Sequence, residues 1–272
     1  MNDPTDRDAA FTRPAKKALG QHFLHERGVI DKMLLAIDPR PGDRFVEIGP
    51  GQGALTFPLL DRHGALTAIE FDRDLLAPLA ARARAHGELA LVHSDVLDVD
   101  LGALAREIAG DDRIRLVGNL PYNLSSPILF HALDHAAAIR DMHFMLQKEV
   151  VDRMAAAPGG KVYGRLSVML QAYCRVTALF KVPPGAFRPP PKVDSAVVRL
   201  VPKAPADIGI ADPTRFADIV RAAFGQRRKT LRNALSGTLD ADAIAAAGLD
   251  PGARAERLSV ADFIRLANLA AA

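Results

Sequence analysis

The residues with the clearest chemical potential are an asparagine and a tyrosine in the tetrapeptide Asn119-Leu120-Pro121-Tyr122. They follow an apolar run at 114–117 that predicts a buried strand. Proline restricts the backbone of the turn, so the amide and the ring are held in a fixed relation. An amide oxygen can accept hydrogen bonds from an exocyclic amine while an aromatic ring stacks on the base that carries it. The pattern therefore predicts a site that could hold the N6 amine of adenine for methylation.

A second chemical signal is the glycine-rich turn Gly49-Pro50-Gly51-Gln52-Gly53, which follows the first predicted strand. Glycines at a strand-to-helix turn let the backbone pass close to a ligand. The spacing is GxGxG, which differs from the GxGxxG of dinucleotide-binding proteins and gives less reason to expect a pyrophosphate. A tight turn without a ligand is the alternative for this motif taken alone.

Two carboxylates lie at the carboxyl ends of the next two predicted strands. Glu70 is the last residue of one strand, and Asp95 follows the other by two residues. Glu70 could accept hydrogen bonds from the ribose hydroxyls of an adenosine group, and Asp95 from its amine. The carboxyl ends of parallel strands meet at one edge of a sheet. Glu70, Asp95 and Asn119 are therefore expected beside the glycine-rich turn, where together they predict a site for a methyl donor that contains adenosine.

Strands and helices alternate along the chain up to about residue 200. Apolar segments predict strands at 44–48, 66–70, 89–93, 114–117, 142–146, 177–182 and 196–201. Amphipathic segments predict helices at 28–37, 54–63, 73–85, 126–139, 148–156 and 164–173. This alternation is typical of an α/β fold, in which right-handed crossovers build a doubly wound, mostly parallel sheet.

The organisation changes after a proline-containing stretch at 202–205, beyond which only helices are predicted. Their positions are 213–224, 228–236, 240–247 and 259–270. The sequence thus predicts a mobile basic arm at 1–20, a catalytic domain at 21–203 and a small all-helical domain at 204–272.

Composition limits the functional classes. The 272 residues are 49% hydrophobic and 25% charged with a formal net charge of +3, which is ordinary for a globular protein. A single cysteine excludes an intramolecular disulfide framework and favours the cytoplasm. We expect no signal peptide, no membrane span and no metal site.

Several stretches together resemble the S-adenosylmethionine-dependent rRNA adenine dimethyltransferases. Within that family the likeness is greatest to the bacterial enzymes that dimethylate two adjacent adenosines near the 3′ end of 16S rRNA. Loss of these enzymes confers kasugamycin resistance. The resemblance extends from about residue 16 to the C terminus. It is carried by residues 19–24, 47–53, 119–127, 147–150, 163–167, 187–195 and 223–232.

The resemblance implies a Rossmann-like, seven-stranded methyltransferase sheet and S-adenosylmethionine as the methyl donor. It also implies that the donor site is lined by His22, Leu24, Gly49, Gly51, Glu70, Asp95 and Asn119. Many members have asparagine at the position of His22, so a backbone contact there would survive the difference but an amide-specific one would not.

The acceptor site is expected to combine four residues. The Asn119 side-chain oxygen and the Leu120 carbonyl are predicted to accept the two N6–H bonds, and Tyr122 to stack on the base. Phe187, on the proline-rich loop before the last strand, is predicted to face Tyr122 so that the base lies between two rings. The alternative for Phe187 is a hydrophobic plug over the end of the sheet.

A basic stretch in the C-terminal region is the candidate RNA contact. It contains five cations and no acid, namely Arg221, Arg227, Arg228, Lys229 and Arg232. In the predicted helix, Arg228 and Arg232 would share one face. Such a run can be a solvated helix face, but beside a base-binding motif it favours phosphate contacts. The expected partner is 16S rRNA within the small ribosomal subunit or its precursor, with no membrane and no obligate protein partner.

Three other functions are compatible with parts of the pattern. A 23S rRNA methyltransferase that confers macrolide resistance shares the pocket, but the stretches at 119–123 and 223–230 favour the 16S enzyme. A DNA adenine methyltransferase would need a target-recognition domain, and we expect none in this sequence. A role chiefly in small-subunit assembly is the non-enzymatic alternative, and it could coexist with catalysis.

Overall fold

The computed structural model describes residues 15–16, 19–226 and 228–269, and two sheets are found among them. The smaller sheet pairs Phe23–Leu24 (β1) antiparallel with Phe187–Arg188 (β8). The larger sheet has seven strands. In chain order they are Phe45–Ile48 (β2), Ala65–Glu70 (β3), Glu88–His93 (β4), Ile114–Asn119 (β5), Ile139–Gln147 (β6), Cys174–Val182 (β7) and Ser195–Pro202 (β9). Across the sheet they lie in the order β4-β3-β2-β5-β6-β9-β7.

Five of these strands pair in parallel, which confirms the predicted doubly wound sheet. β2 pairs with β3 on one side and with β5 on the other, β3 pairs with β4, and β5 pairs with β6. The strand order therefore reverses between β2 and β5, and open α/β sheets bind ligands at the carboxyl ends of the strands beside such a switch point. Gly118 permits the close approach of these two strands, since a Cβ atom there would lie 2.5 Å from the Ile48 carbonyl oxygen.

Helices follow the first strands and pack their apolar sides into the core. They are Arg27–Ile37 (α1), Thr56–His63 (α2), Arg73–Ala83 (α3), Leu101–Ala109 (α4) and Ser125–Asp134 (α5). Met33 and Leu34 of α1 and Leu59 and Leu60 of α2 belong to one buried hydrophobic cluster. Burial of these side chains is the main contribution to the stability of this layer.

A buried ion-pair network fixes the amino end of β5. The Arg115 guanidinium donates to both carboxylate oxygens of Asp141, at 2.9 and 3.0 Å, and to Asp43 at 2.5 Å. All three side chains are at most 5% exposed. Because the two carboxylates surround the guanidinium, they compensate its burial and fix the start of the strand that ends at Asn119.

The remaining helices lie in the later part of the chain. They are Lys148–Met154 (α6), Arg165–Tyr173 (α7), Pro205–Ile208 (α8), Pro213–Gly225 (α9), Leu231–Ala234 (α10), Ala241–Ala246 (α11) and Val260–Leu269 (α12). Within the described residues, no helix is long and apolar enough to cross a membrane.

The chain groups into two compact units whose limits differ from the predicted division at 203/204. One unit comprises Met1–Gln147 with Leu179–Val197, and the other comprises Lys148–Ala178 with Val198–Ala272. The sequence-based division placed α6 and α7 with the sheet. In the structure they belong to the second unit because α7 packs against α9 and α12. That division was drawn at a proline-rich stretch, and such a stretch does not report these long-range helix contacts.

Candidate active site

A cavity of about 310 Å³ opens at the carboxyl ends of β2, β3 and β5. Its volume lies at the lower end of the range of small-molecule sites. The structure brings all of the predicted donor and acceptor residues except Phe187 together in its wall, namely His22, Leu24, Gly49, Gly51, Glu70, Asp95, Asn119, Leu120 and Tyr122.

The glycine-rich turn forms one wall in a conformation that requires glycine. Gly49, Gly51 and Gly53 have φ values of 67°, 58° and 85°, a region that other residues rarely adopt. A Cβ atom on Gly53 would lie 2.2 Å from the Phe57 ring, and one on Gly51 would lie 3.1 Å from the Phe23 ring. The turn therefore exposes backbone to the cavity and packs tightly against Phe23 and Phe57.

Glu70 is held by backbone groups on both sides of its carboxylate. One oxygen accepts from the Gly51 N–H at 3.2 Å and the other from the Asp72 N–H at 2.7 Å. Burial raises the pKa of Glu70, whereas these two hydrogen bonds lower it. Because the carboxylate has further lone pairs, it can still accept hydrogen bonds from a hydroxyl-bearing ligand.

Asp95 also lies in the cavity wall, where it caps a short 3₁₀ turn at 96–98. One of its carboxylate oxygens accepts from the Leu97 N–H at 3.0 Å. This bond fixes the orientation of the carboxylate at the cavity wall. The side chain thus presents a hydrogen-bond acceptor where the sequence predicted one.

The Asn119 amide is oriented by the backbone of the N-terminal segment. Its Nδ2 donates to the His22 carbonyl oxygen at 2.9 Å. With the amide nitrogen used in this way, Oδ1 is the group that can accept from a substrate amine. The next residue, Leu120, is 1% exposed, and its N–H donates to the Met145 carbonyl oxygen at 3.1 Å.

Tyr122 is anchored through its hydroxyl group. This group lies 2.6 Å from the Ser195 Oγ, and the ring stacks on His22 with centroids 5.4 Å apart. Burial raises the pKa of Tyr122, so the phenol is neutral at physiological pH. The His22 Nδ1 in turn donates to the Pro189 carbonyl oxygen at 2.8 Å.

The position of Phe187 does not match the predicted slot between two rings. The side chain is 2% exposed, belongs to the hydrophobic core and is not part of the cavity wall. In the antiparallel pairing of β8 with β1, Phe187 is opposite Leu24. The ring that lies against Tyr122 is that of His22. In this structure Phe187 is therefore the hydrophobic plug of the alternative interpretation, because pairing with β1 draws it into the core.

Glu47 is a cavity residue that the predicted site set did not include. It is 2% exposed, and one carboxylate oxygen accepts from the Thr56 hydroxyl at 2.6 Å. Burial raises the pKa of Glu47 to about 8, with a further contribution from the negative charge of Glu70 and an opposing one from Thr56. The sequence did carry a signal for this residue, because Glu47 is an acid within an otherwise apolar strand and lies two residues before Gly49.

The predicted RNA-contacting residues divide into three groups. Arg221 forms an ion pair with Asp218, one turn earlier in α9, at 2.8 Å. Arg228, Lys229 and Arg232 are exposed. Arg227 lies outside the described residues.

The helix predicted at 228–236 is wrong in extent. Among the described residues the helix covers only Leu231–Ala234, and Arg228 precedes it in a turn. Arg228 and Arg232 therefore do not share a helical face. Thr230 has extended backbone dihedrals at the helix N-cap, so the helix begins after most of the basic stretch.

The mobile basic arm predicted at 1–20 falls mostly outside the described residues. Where Lys16 is described, its ammonium group is paired with Asp72 and Asp74. That cation is therefore held by the protein's own carboxylates.

Comparison with known proteins agrees with this geometry. The family described as ribosomal RNA adenine dimethylase matches residues 13–272. A ribosomal RNA small subunit methyltransferase A from Xanthomonas campestris pv. campestris (strain B100) is 70% identical over 262 residues, which cover 96% of this chain and 98% of that protein.

Two solved structures share the fold over most of the chain. A dimethyladenosine transferase from Plasmodium falciparum is 25% identical with a TM-score of 0.77, covering 90% of this chain and 96% of that one. The 23S rRNA methyltransferase ErmE is 24% identical with a TM-score of 0.69, covering 92% and 100%, and supports the fold alone. The match across residues 13–272 and the 70% identity to a small-subunit methyltransferase confirm the family expected from the motifs, and the chain belongs to the ribosomal RNA adenine dimethylases.

Proposed function

We propose that this protein transfers methyl groups from S-adenosylmethionine to N6 of two adjacent adenosines in the 3′-terminal hairpin loop of 16S rRNA, giving N6,N6-dimethyladenosine. The observation that carries the proposal is the placement of Asn119 and Tyr122 in the wall of the same cavity as Glu70 and the glycine-rich turn. One site would then hold the base and the donor side by side.

The donor portion of the cavity fits an adenosine-containing sulfonium compound. Glu70 and Asp95 present carboxylate acceptors for ribose hydroxyls and an amine. The backbone at Gly49 and Gly51 can come close to a ligand because no side chain intervenes. When bound, the donor supplies an electrophilic methyl group.

The acceptor portion would activate the amine by positioning it. The N6 lone pair of adenine is delocalised into the ring, which makes it a poor nucleophile. Hydrogen bonds from N6 to the Asn119 Oδ1 and the Leu120 carbonyl would draw the nitrogen toward a tetrahedral geometry and localise that lone pair. Because His22 covers one face of the Tyr122 ring, we propose that the base stacks on the other face. Fixed acceptors of this kind lower the barrier without a strong general base.

The substrate is assigned from the relative that is 70% identical, whose name specifies the small ribosomal subunit. A second observation compatible with RNA binding is the exposure of Arg228, Lys229 and Arg232. Exposed cations of this kind can replace the counterions of RNA phosphates. We propose that the second compact unit uses these residues to bind 16S rRNA in the small subunit or its precursor, and that the protein contributes to small-subunit biogenesis.

The test is a methylation assay on undermethylated small subunits with labelled S-adenosylmethionine, followed by primer extension to map the modified nucleotides. We expect label in two adjacent adenosines of the 3′-terminal hairpin loop. Asn119→Ala should slow the reaction about 100-fold or more, as removal of single preorganised polar groups does in other enzymes. Label at other nucleotides, or near-normal turnover by Asn119→Ala, would refute the assignment.

A further inference from the structure

The N-terminal segment forms part of the cavity wall and is fastened at both ends. Residues 19–24 line the cavity, and we call them the strap. At its C-terminal end the strap pairs with β8 through Phe23 and Leu24. This end is tied further because the His22 carbonyl accepts from Asn119 and the His22 ring donates to Pro189.

The N-terminal side of the strap is held by the buried carboxylate of Asp72, and the Lys16 ammonium also pairs with the exposed carboxylate of Asp74 at 2.9 Å. The Lys16 ammonium donates to Asp72 Oδ1 at 2.6 Å, and the Gln21 amide donates to Asp72 Oδ2 at 3.0 Å. Lys16 and Gln21 are also joined to each other, since the Lys16 N–H donates to the Gln21 side-chain oxygen at 2.8 Å. Both strap-side partners thus converge on one carboxylate.

Asp72 is suited to act as an anchor because it is buried and charged. It is 5% exposed. Burial by itself raises the pKa of this carboxyl, but the hydrogen bonds from Lys16 and Gln21 bring the pKa below its ordinary value. A buried carboxylate that lost these partners would be destabilised. These contacts therefore favour the strap in the position that the structure shows.

Asp72 also contacts a residue of the donor cavity through its backbone. The Asp72 N–H donates to Glu70 Oε1 at 2.7 Å, and Glu70 lies in the cavity wall. A displacement of Asp72 would therefore act on both the wall of the cavity and the orientation of Glu70.

We propose that Lys16, Gln21 and Asp72 form a latch that holds the strap closed over the donor cavity, and that opening this latch admits the donor and releases the product. This inference rests on the proposed donor site. It makes Lys16 and Asp72 positioning residues that control donor exchange and take no part in the methyl transfer.

The experiment measures the dissociation rate of S-adenosylhomocysteine from the full-length protein by stopped-flow displacement. Lys16→Met keeps most of the length of the side chain but removes its charge. We expect it to speed release about 5- to 30-fold, as loss of a charge-assisted bond to a buried group does. Lys16→Arg should restore slow release. Added salt should speed release from the wild-type protein but not from Lys16→Met.

Two further variants separate a latch from a general effect on folding. Asp72→Asn keeps a good helix cap for α3 and removes the charge of the side chain. Combining it with Lys16→Met should add little to the effect of either single change.

Lys148→Met is the matched control. Lys148 is 42% exposed and Lys16 is 46% exposed, and both are paired with a carboxylate. It should release the ligand at the wild-type rate.

The outcomes that overturn the latch differ from those that overturn the donor site. A wild-type release rate in Lys16→Met, with or without a lower melting temperature, would overturn the latch alone. If Lys16→Met and Lys148→Met speed the release of S-adenosylhomocysteine equally, the latch alone is likewise overturned. Failure of the wild-type protein to bind S-adenosylhomocysteine would overturn the proposed donor site and the latch with it.

Discussion

At the scale of single residues, the key feature is the fixed orientation of the Asn119 amide. The His22 carbonyl accepts from Nδ2, so the protein itself determines which end of the amide remains for the substrate. This contact uses only the backbone of residue 22. Any residue at position 22 could supply this carbonyl, so the contact does not require the histidine side chain.

The position of Phe187 leads to a prediction that separates packing from base stacking. Because its ring is buried in the core, Phe187→Leu should lower the free energy of unfolding by about 1–2 kcal/mol through imperfect repacking. The rate of rRNA methylation should stay near the wild-type value at temperatures where the variant is folded. Urea denaturation and a labelled-methyl assay measure the two effects. A large loss of methylation without a loss of stability would restore the stacking role.

At the scale of elements, the turn between β2 and α2 shapes the donor cavity through its backbone. Its glycines adopt positive φ values, and Phe57 leaves no room for a Cβ atom on Gly53. Tight packing behind the turn therefore fixes the atoms that face the ligand.

Substitution of Gly53 tests this packing against a matched control. Gly53 and Gly64 have φ values of 85° and 90°, but a Cβ atom on Gly64 would have no atom of the described residues within 4 Å. Both alanine variants should lose about 1 kcal/mol or more of stability to backbone strain. Only Gly53→Ala should also weaken S-adenosylhomocysteine binding, by about tenfold, because Phe57 or the turn must move. Calorimetric titration of both variants checks this, and equal affinities would contradict it.

Much of the fold could be predicted at this scale because local patterns encode it. Apolar runs located all seven strands of the main sheet, and the acids and amide at their ends located the cavity. The pairing of β1 with β8 could not be predicted because two-residue strands carry no periodicity and their partners lie far apart in the chain. That pairing decides the position of Phe187. Helix α4 was missed although Asp100 caps it by accepting from the Ala103 N–H.

At the scale of the whole molecule, stability is linked to pH through the buried acid Glu47. Its pKa is about 8 in the folded protein, compared with an ordinary value of 4.5, because burial disfavours the charged form. The folded state therefore binds this proton more tightly than the unfolded chain. The stabilising contribution is complete below the unfolded pKa and is lost as the pH rises through the folded pKa.

We expect the wild-type protein to lose stability relative to Glu47→Gln as the pH rises from about 5 to 8, by an amount on the order of a few kcal/mol. Glutamine has no proton to lose in this range, and its amide oxygen can still accept from Thr56. Urea denaturation of both proteins across the range provides the measurement. Parallel stability curves for the two proteins would show that Glu47 does not titrate there.

The most direct test of the central claim is a crystal structure of the protein soaked with S-adenosylhomocysteine. We expect the ligand in the cavity between the glycine-rich turn and Asn119, with its ribose hydroxyls against Glu70 and its sulfur on the side of the Asn119 Oδ1. A ligand bound outside this cavity, or an Asn119 amide turned away from the sulfur, would contradict the assignment of donor and acceptor to one site.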